Sequence, residues 1–249
     1  GATFLLNPLG RKLQPSEVAD MIGEHDIVIA GTEPITADVM TRCPNLKAIC
    51  RVGIGLDSVD LVAARERGIA VSYTPDAPSP AVAELAFGLM IDAVRGISRA
   101  DADLRRGLWS RRLGKRIDEC TIGIVGTGRI GARVVRHVAG AFPNAVILAN
   151  DISPDGSLDD LVTWCGIDEL LSRCDIISLH VPLTPETENL VDTGQLARMK
   201  PDAVLINTAR GGIVNEAALA DALRREVIAG AAVDVFSVEP YTGELAEIP

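Results

Sequence analysis

Thr121-Ile122-Gly123-Ile124-Val125-Gly126-Thr127-Gly128-Arg129-Ile130-Gly131 is an apolar run that breaks into glycines. Ile122, Ile124 and Val125 are apolar and β-branched, the pattern of a strand buried on both faces. Glycines at 126, 128 and 131 follow with G-x-G-x-x-G spacing, and Ala132 to Val138 resumes at helical period. Strand, glycine turn and helix, in that order, is the arrangement that a dinucleotide site requires. Gly126 then permits the tight turn, and Gly128 lets the backbone approach a pyrophosphate. Gly131 lets the helix pack on the strand, and the helix N-terminus offers free N–H groups and its positive dipole end.

The next strand strengthens this. Val146-Ile147-Leu148-Ala149 ends at Asn150-Asp151, which puts Asp151 20 residues beyond Gly131. An acid there accepts hydrogen bonds from the adenosine ribose 2′-OH; a loop aspartate that only closes the strand is the plainer alternative. No Arg or Lys lies between Ile152 and Leu158 to pair a 2′-phosphate, so NAD is favoured over NADP.

Composition agrees with a packed α/β protein. The 249 residues suggest one large or two modest domains, and 47% are hydrophobic while only 3% are aromatic. A chain of this length buries enough surface to need no disulfide or structural metal. The net charge of −10 opposes a nucleic-acid surface. The basic stretch from Arg105-Arg106 to Arg111-Arg112-Leu113-Gly114-Lys115-Arg116 reads as a solvated linker or subunit-contact face. Cys43, Cys50, Cys120, Cys165 and Cys174 show no CxxC pairing and read as reduced core thiols, which points to the cytoplasm. No apolar run is long enough to span a membrane, and neither an HExxH motif, a P-loop lysine nor a G-x-S-x-G elbow occurs.

Taken in order, Thr3 to Leu6 reads as a strand, and Ser16 caps a helix to about Gly23. Asp26 to Ala30 reads as a second strand, buried, and Thr36 caps a helix to Arg42. Leu46 to Val52 is a third strand, Ser58 to Arg67 a helix and Ile69 to Tyr73 a fourth strand. The proline-rich stretch Thr74 to Pro80 marks a boundary, giving domains 1–78 and 79–249. Ser79 caps a long helix with Pro80 at its first position, and Val82, Leu85, Ala86, Leu89, Met90, Ala93 and Val94 form its apolar stripe; Met90 reads as plain core. Further strands are expected at 175–179, 203–206 and 231–235, and Asn215 caps a helix to about Glu226. The result is a doubly wound parallel sheet with ligands at the carboxyl ends of its strands.

Those ends supply His180-Val181-Pro182, Thr208-Ala209-Arg210-Gly211-Gly212 and Asp234 to Glu239. Arg210, placed right after a buried strand, is suited to bidentate binding of a carboxylate, or to a strand-end salt bridge. Asp234 and Glu239 follow the last strand and either join that crevice or act as helix caps.

With these residues the chain resembles the D-isomer-specific 2-hydroxyacid dehydrogenases, and within them the phosphoglycerate dehydrogenase branch. The resemblance rests on RVGIGLD at 51–57, AVAELA at 81–86, GTGRIG at 126–131, LHVPLTPET at 179–187, NTARGGIVNE at 207–216 and AAVDVFSVEP at 231–240. It implies a flavodoxin-like substrate domain and a Rossmann-type NAD domain, with the active site in the cleft between them. The substrate is then a small 2-hydroxy or 2-keto acid, and the protein a homodimer formed through the cofactor domain, with the helix at 81–94 a candidate contact.

The same resemblance implies that Arg210 holds the substrate's carboxylate and carbonyl oxygen and that Glu239 pairs with a catalytic histidine. Val52 and Gly53 bind the carboxylate through backbone N–H groups, beside Arg51, and Ile54 lies near the nicotinamide. Arg129 and Ile130 contact phosphate, Asp151 the ribose, and Asp234 the nicotinamide amide. His180, Val181, Pro182, Thr208 and Ala209 line the cofactor.

The histidine of the family's pattern lies past Pro249, so a C-terminal segment bearing it, with a helix that returns to the first domain, is expected beyond the supplied chain. The start also looks late. His25, His137 and His180 do not occupy the position. Pro78 stands where many relatives have Asn, and Glu33 lies in a loop where some phosphoglycerate-acting relatives are basic; Glu33 repels a phosphate that Arg51 could bind, so the residues leave the substrate open. An NAD(H)-sensing corepressor on the same scaffold is the alternative to an enzyme.

Overall fold

The computed structural model describes residues 3–111 and 113–248; Arg112 of the basic stretch and Pro249 lie outside them. Chain contacts divide into two units, Gly1–Ser79 and Pro80–Pro249.

In the first unit, α1 (Val18–Ile22), β1 (Ile27–Ala30), α2 (Ala37–Arg42), β2 (Ala48–Arg51), α3 (Leu61–Glu66) and β3 (Ala70–Tyr73) alternate. The three strands are parallel and lie in sequence order. Thr36 caps α2 by accepting from the Val39 N–H, as expected. The helix expected from Ser58 begins at Leu61, where Asp60 caps α3 by accepting from the Ala63 N–H. Ahead of α1 a 3-10 turn at Pro15–Glu17 takes Gln14 as its cap, because Pro15 already has the φ of a first helical residue; Ser16 does not cap.

Right-handed crossovers between strands in sequence order bring every connecting helix to one face of a sheet. The core therefore sits there, with Val18, Ile22, Val39, Met40, Ile49 and Ala64 buried together. Among the described residues of this unit no helix covers the other face, so Ile27 and Ile29 are 59% and 72% exposed, and the expectation of a fully buried 26–30 strand fails. Thr3 to Leu6 is not a strand either. No strand of the described residues pairs with it, and Phe4 and Leu6 face solvent. Strand propensity without a ladder partner leaves backbone groups unpaired, so it does not suffice.

The second unit contains α4 (Ser79–Arg95, beginning on the last residue of the first unit), α5 (Ile97–Arg105), β4 (Thr121–Val125), α6 (Gly131–Ala141), β5 (Val146–Asn150) and β6 (Thr163–Trp164). There follow α7 (Ile167–Arg173), β7 (Ile176–Leu179), α8 (Thr193–Leu196), β8 (Val204–Asn207), α9 (Glu216–Arg224) and β9 (Gly230–Val233). All six strands are parallel in the order β6-β5-β4-β7-β8-β9. Strand order reverses between β4 and β7, the switch point at which such sheets bind ligands. Ser79 lies inside the first turn of α4 instead of capping it, its hydroxyl donating to the Pro75 carbonyl.

Apolar layers cover both faces. Ala83, Ala86 and Met90 of α4 join Val134, Val135 and Val138 of α6 over Ile122 and Ile124, while Leu170, Leu171 and Leu219 cover Ile177, Leu179 and Leu205. At the amino end of the sheet, Asp175 accepts from the Thr121 N–H at 2.8 Å and from Lys115 and Lys200 at 3.0 and 3.1 Å, tying β4 to β7. The five cysteines are free thiols. Among the described residues, no helix is long and apolar enough to cross a membrane and no cluster of metal-ligating side chains occurs.

Candidate functional site

Five strand ends of the second unit assemble the candidate site. At the end of β4, Gly126 adopts φ +88°, and a Cβ there would lie 2.7 Å from the His180 carbonyl oxygen. A Cβ on Gly131 would lie 1.9 Å from the Gly126 oxygen, so this glycine is required by the turn and not, as its spacing suggests, by the strand. Beside Gly128 nothing lies within 4 Å, so its backbone is open to a ligand. Arg129 is exposed next to it. Turn, open flank and the start of α6 together fit a dinucleotide pyrophosphate.

At the end of β5, Asp151 turns back onto the glycine loop. Its Oδ2 accepts from the Thr127 N–H at 2.6 Å and the Thr127 hydroxyl at 3.0 Å, and its Oδ1 from the Ser153 N–H at 2.8 Å. Burial alone raises this carboxyl's pKa, but these donors outweigh it and hold the group below the usual carboxylate range. Asp151 thus closes a turn, and it also remains an anionic acceptor at the strand end.

Leu179 pairs with Asn207 across β7 and β8, which sets His180 beside Thr208. Ser178 and His180 Nε2 are hydrogen-bonded at 2.9 Å, while His180 Nδ1 and the Thr208 hydroxyl are buried without a partner. Orphaned polar atoms at a switch point suit a bound polar ligand. Val181 packs against the Gly126 turn, and the Pro182 carbonyl accepts from the Thr187 hydroxyl at 2.6 Å.

Burial pushes the His180 imidazole down to about 4, so it stays neutral at ordinary pH. In the unfolded chain it protonates near the ordinary value of about 6.5. Stability is therefore full above about pH 6.5 and is lost as pH falls toward about 4. Between pH 7 and pH 5 the loss is at most about 2 kcal/mol, and urea melts should show a flatter pH dependence in His180→Asn than in the wild type.

Asn207 clamps the loop after β8: its Nδ2 donates to the Arg210 carbonyl at 3.0 Å and its Oδ1 accepts from the Ala209 N–H at 3.1 Å. Its own carbonyl accepts from the Asp234 N–H at 3.0 Å. A Cβ on Gly211 would lie 2.0 Å from the Phe236 carbonyl carbon, so the two loops touch backbone to backbone. The Arg210 guanidinium donates to the Ala209 carbonyl at 2.7 Å. Glu239 accepts from the Phe236 N–H at 3.2 Å, and Glu216 from the Ser237 N–H at 2.7 Å. Desolvation first, and the Glu239 charge second, raise the Asp234 carboxyl's pKa. The second unit thus gathers Gly126, His180, Arg210, Asp234 and Glu239 along one sheet edge.

In the first unit the expected carboxylate donors are engaged. The Val52 N–H continues the β2 ladder to the Ala30 carbonyl at 2.9 Å, and the Gly53 N–H donates to the Thr74 hydroxyl at 2.8 Å. Only the second of these is a side-chain contact that a ligand can displace. Arg51 is buried, its guanidinium folded against Gly53 and donating to the Val52 carbonyl, with Nε unpartnered. Ile54 follows, half-buried. Glu33 folds back to accept from the Gly31 N–H at 2.8 Å. Thr127, Asn207 and Thr74 escape the sequence pattern because each acts by hydrogen-bonding a neighbouring loop; the polar residue closing the apolar run at Asn207 is the one visible signal.

An open parallel sheet with a glycine turn at its switch point and an arginine and two acids along its edge defines a Rossmann-type dinucleotide-binding protein. The chain belongs to the D-isomer specific 2-hydroxyacid dehydrogenase family, whose NAD binding domain matches residues 87–249. It is 40% identical over 240 residues to hydroxypyruvate reductase of Thermotoga maritima, covering 94% of this chain and 76% of that protein. It is 42% identical over 234 residues to D-3-phosphoglycerate dehydrogenase of Methanocaldococcus jannaschii, covering 92% of this chain but 44% of the relative. The chain thus spans about three quarters of the first relative and less than half of the second.

Among solved structures, the TT0316 protein from Thermus thermophilus superposes with a TM-score of 0.88 at 37% identity, covering 96% of this chain and 78% of that one. D-Lactate dehydrogenase from Aquifex aeolicus, solved with NAD and lactic acid, gives 0.82 at 30% identity, covering 92% and 73%.

Proposed function

We propose that this protein is an NAD-dependent oxidoreductase acting on a small D-2-hydroxy acid and its 2-keto counterpart. The observation that carries this is the backbone contact of Gly211 with Phe236, which joins the Arg210 loop to the Asp234–Glu239 loop beside the glycine turn. NAD, when bound, supplies the hydride acceptor at the nicotinamide. Gly126, Gly128, Arg129, Ile130 and Gly131 hold its pyrophosphate and Asp151 its ribose. His180, Val181, Pro182, Thr208 and Ala209 would line it and Asp234 would receive the amide; the position of Ile54 beside the ring is what the family resemblance implies.

Arg210 binds the substrate carboxylate and polarises the C2 oxygen. By the family resemblance the Gly53 N–H, now held by the Thr74 hydroxyl, would add to carboxylate binding, whereas the Val52 N–H is already taken by the Ala30 carbonyl. Glu239 holds an imidazolium that exchanges the proton. His180 does not serve as that group, since it is half-buried, bonded to Ser178 and held neutral, nor does His137, which packs on Phe87 with ring centroids 6.0 Å apart.

Among substrates we favour D-3-phosphoglycerate, because buried Arg51 has no carboxylate partner among the described residues and suits a second anionic group. A steady-state panel of D-3-phosphoglycerate, hydroxypyruvate, glyoxylate and D-lactate on the full gene product tests both levels. No NAD(H)-linked turnover on any of them overturns the enzyme and leaves a sensor; equal or better turnover of the unphosphorylated acids overturns the finer assignment.

The protein is further proposed to be a cytoplasmic homodimer, its five thiols being unpaired. The contact is assigned to residues 104–113, where Leu104, Leu108, Trp109 and Leu113 are all exposed, Trp109 at 89%. On the helix at 81–94, Ala83, Ala86 and Met90 face the unit's own core, which leaves Leu85 as its exposed large apolar residue. Arg105, Arg106 and Arg111 lie among the exposed residues on a chain of net charge −10, so a second copy complements the segment in both charge and polarity. Trp109→Arg should convert the dimer to monomer in sedimentation velocity, and an unchanged sedimentation coefficient would refute the contact.

A further inference from the structure

Thr127 sits between two glycines of the turn, 5% exposed, and spends both of its donors on one oxygen of Asp151. Any residue at this position supplies the N–H; only a hydroxyl side chain adds the second donor. With Oδ2 filled by a single residue, the carboxylate cannot rotate without breaking two charge-assisted bonds. A sugar hydroxyl is then left Oδ1, which takes the Ser153 N–H at 2.8 Å. Arg136 of α6 is committed elsewhere, since it donates to the Ser157 hydroxyl at 3.1 Å and the Ala132 carbonyl at 3.4 Å.

We infer that Thr127 is a positioning residue for cofactor choice: its hydroxyl fixes the Asp151 carboxylate so that Oδ1 receives the ribose diol and a 2′-phosphate meets a negative charge that cannot turn away. This rests on the NAD-binding reading given above and adds to it the residue that enforces the preference. The ligand class is a dinucleotide with a free adenosine 2′,3′-diol, discriminated from its 2′-phosphorylated form.

Thr127→Val keeps the shape and the N–H but removes the hydroxyl. In the full-length protein, the KM for NAD and the NADH dissociation constant from nicotinamide fluorescence should rise about tenfold. The kcat should stay within about twofold, and the NAD-over-NADP ratio of kcat/KM should fall by about the same tenfold. Thr127→Ser should behave as wild type. In an Asp151→Ala background, Thr127→Val should have no further effect, because the two residues act as one unit.

An unchanged KM and cofactor ratio in Thr127→Val, a defect of equal size in Thr127→Ser, or an undiminished effect in the Asp151→Ala background each overturns the proposal while leaving NAD binding intact. Failure of the wild type to bind NADH overturns the NAD reading itself, and this proposal with it.

Discussion

Replacing Arg210 by lysine is expected to lower kcat/KM by about 10³-fold, which corresponds to about 4 kcal/mol of transition-state stabilisation. A guanidinium offers two parallel donors to a carboxylate and a carbonyl oxygen, and an ammonium offers a point charge on a flexible stem. The loop around it keeps a second hold, because the Asn207 amide binds the Ala209 N–H and the Arg210 carbonyl even without the guanidinium's bond to the Ala209 carbonyl. NADH binding should therefore survive the substitution. Fluorescence titration alongside steady-state kinetics checks this, and a variant with wild-type kcat/KM would remove Arg210 from the chemistry.

The second large effect is expected at Gly131. Its added methyl in Gly131→Ala would meet the Gly126 carbonyl oxygen at 1.9 Å, with backbone on both sides of the contact. No side chain can rotate to relieve it, so α6 must move off the turn. A weakening of NADH binding by about 10²-fold or more and a loss of about 3 kcal/mol in unfolding free energy should follow. Gly128→Ala is the informative companion. With nothing within 4 Å of the new methyl, it should fold like the wild type, and any loss of NADH affinity there reports the approach of the ligand alone. If Gly128→Ala and Gly131→Ala melted alike, the steric argument would fail.

The glycine turn, the strands at β4, β5, β7, β8 and β9, and the Thr36 and Asn215 caps were legible in the sequence because each depends on local chemistry. A strand buried on both faces reads as an unbroken apolar run, and β7 and β8 are buried at every position. The Asn215 cap is equally local, its side chain accepting from the Ala218 N–H. The helices α5 and α7 escaped, as did the two-residue β6 and the four-residue α8, which are too brief for periodicity to register. The 26–30 strand misled for another reason. Its apolar residues promise burial on both faces, yet whether the second face is covered depends on the path of the crossovers.

For the site, the sequence supplied residue types and the strand ends that present them. It did not reveal that Asp151 is bonded to Thr127, that Gly211 lies on Phe236, or that the Val52 and Gly53 N–H groups already have acceptors. Local composition was enough for the dinucleotide fold, the glycine turn and the roster of candidate side chains, since periodicity and turn chemistry act over a few neighbours. Which donors stay open and which loops touch had to await the folded chain, because hydrogen bonds and steric contacts between residues far apart in sequence exist only once the parallel strands have set their register.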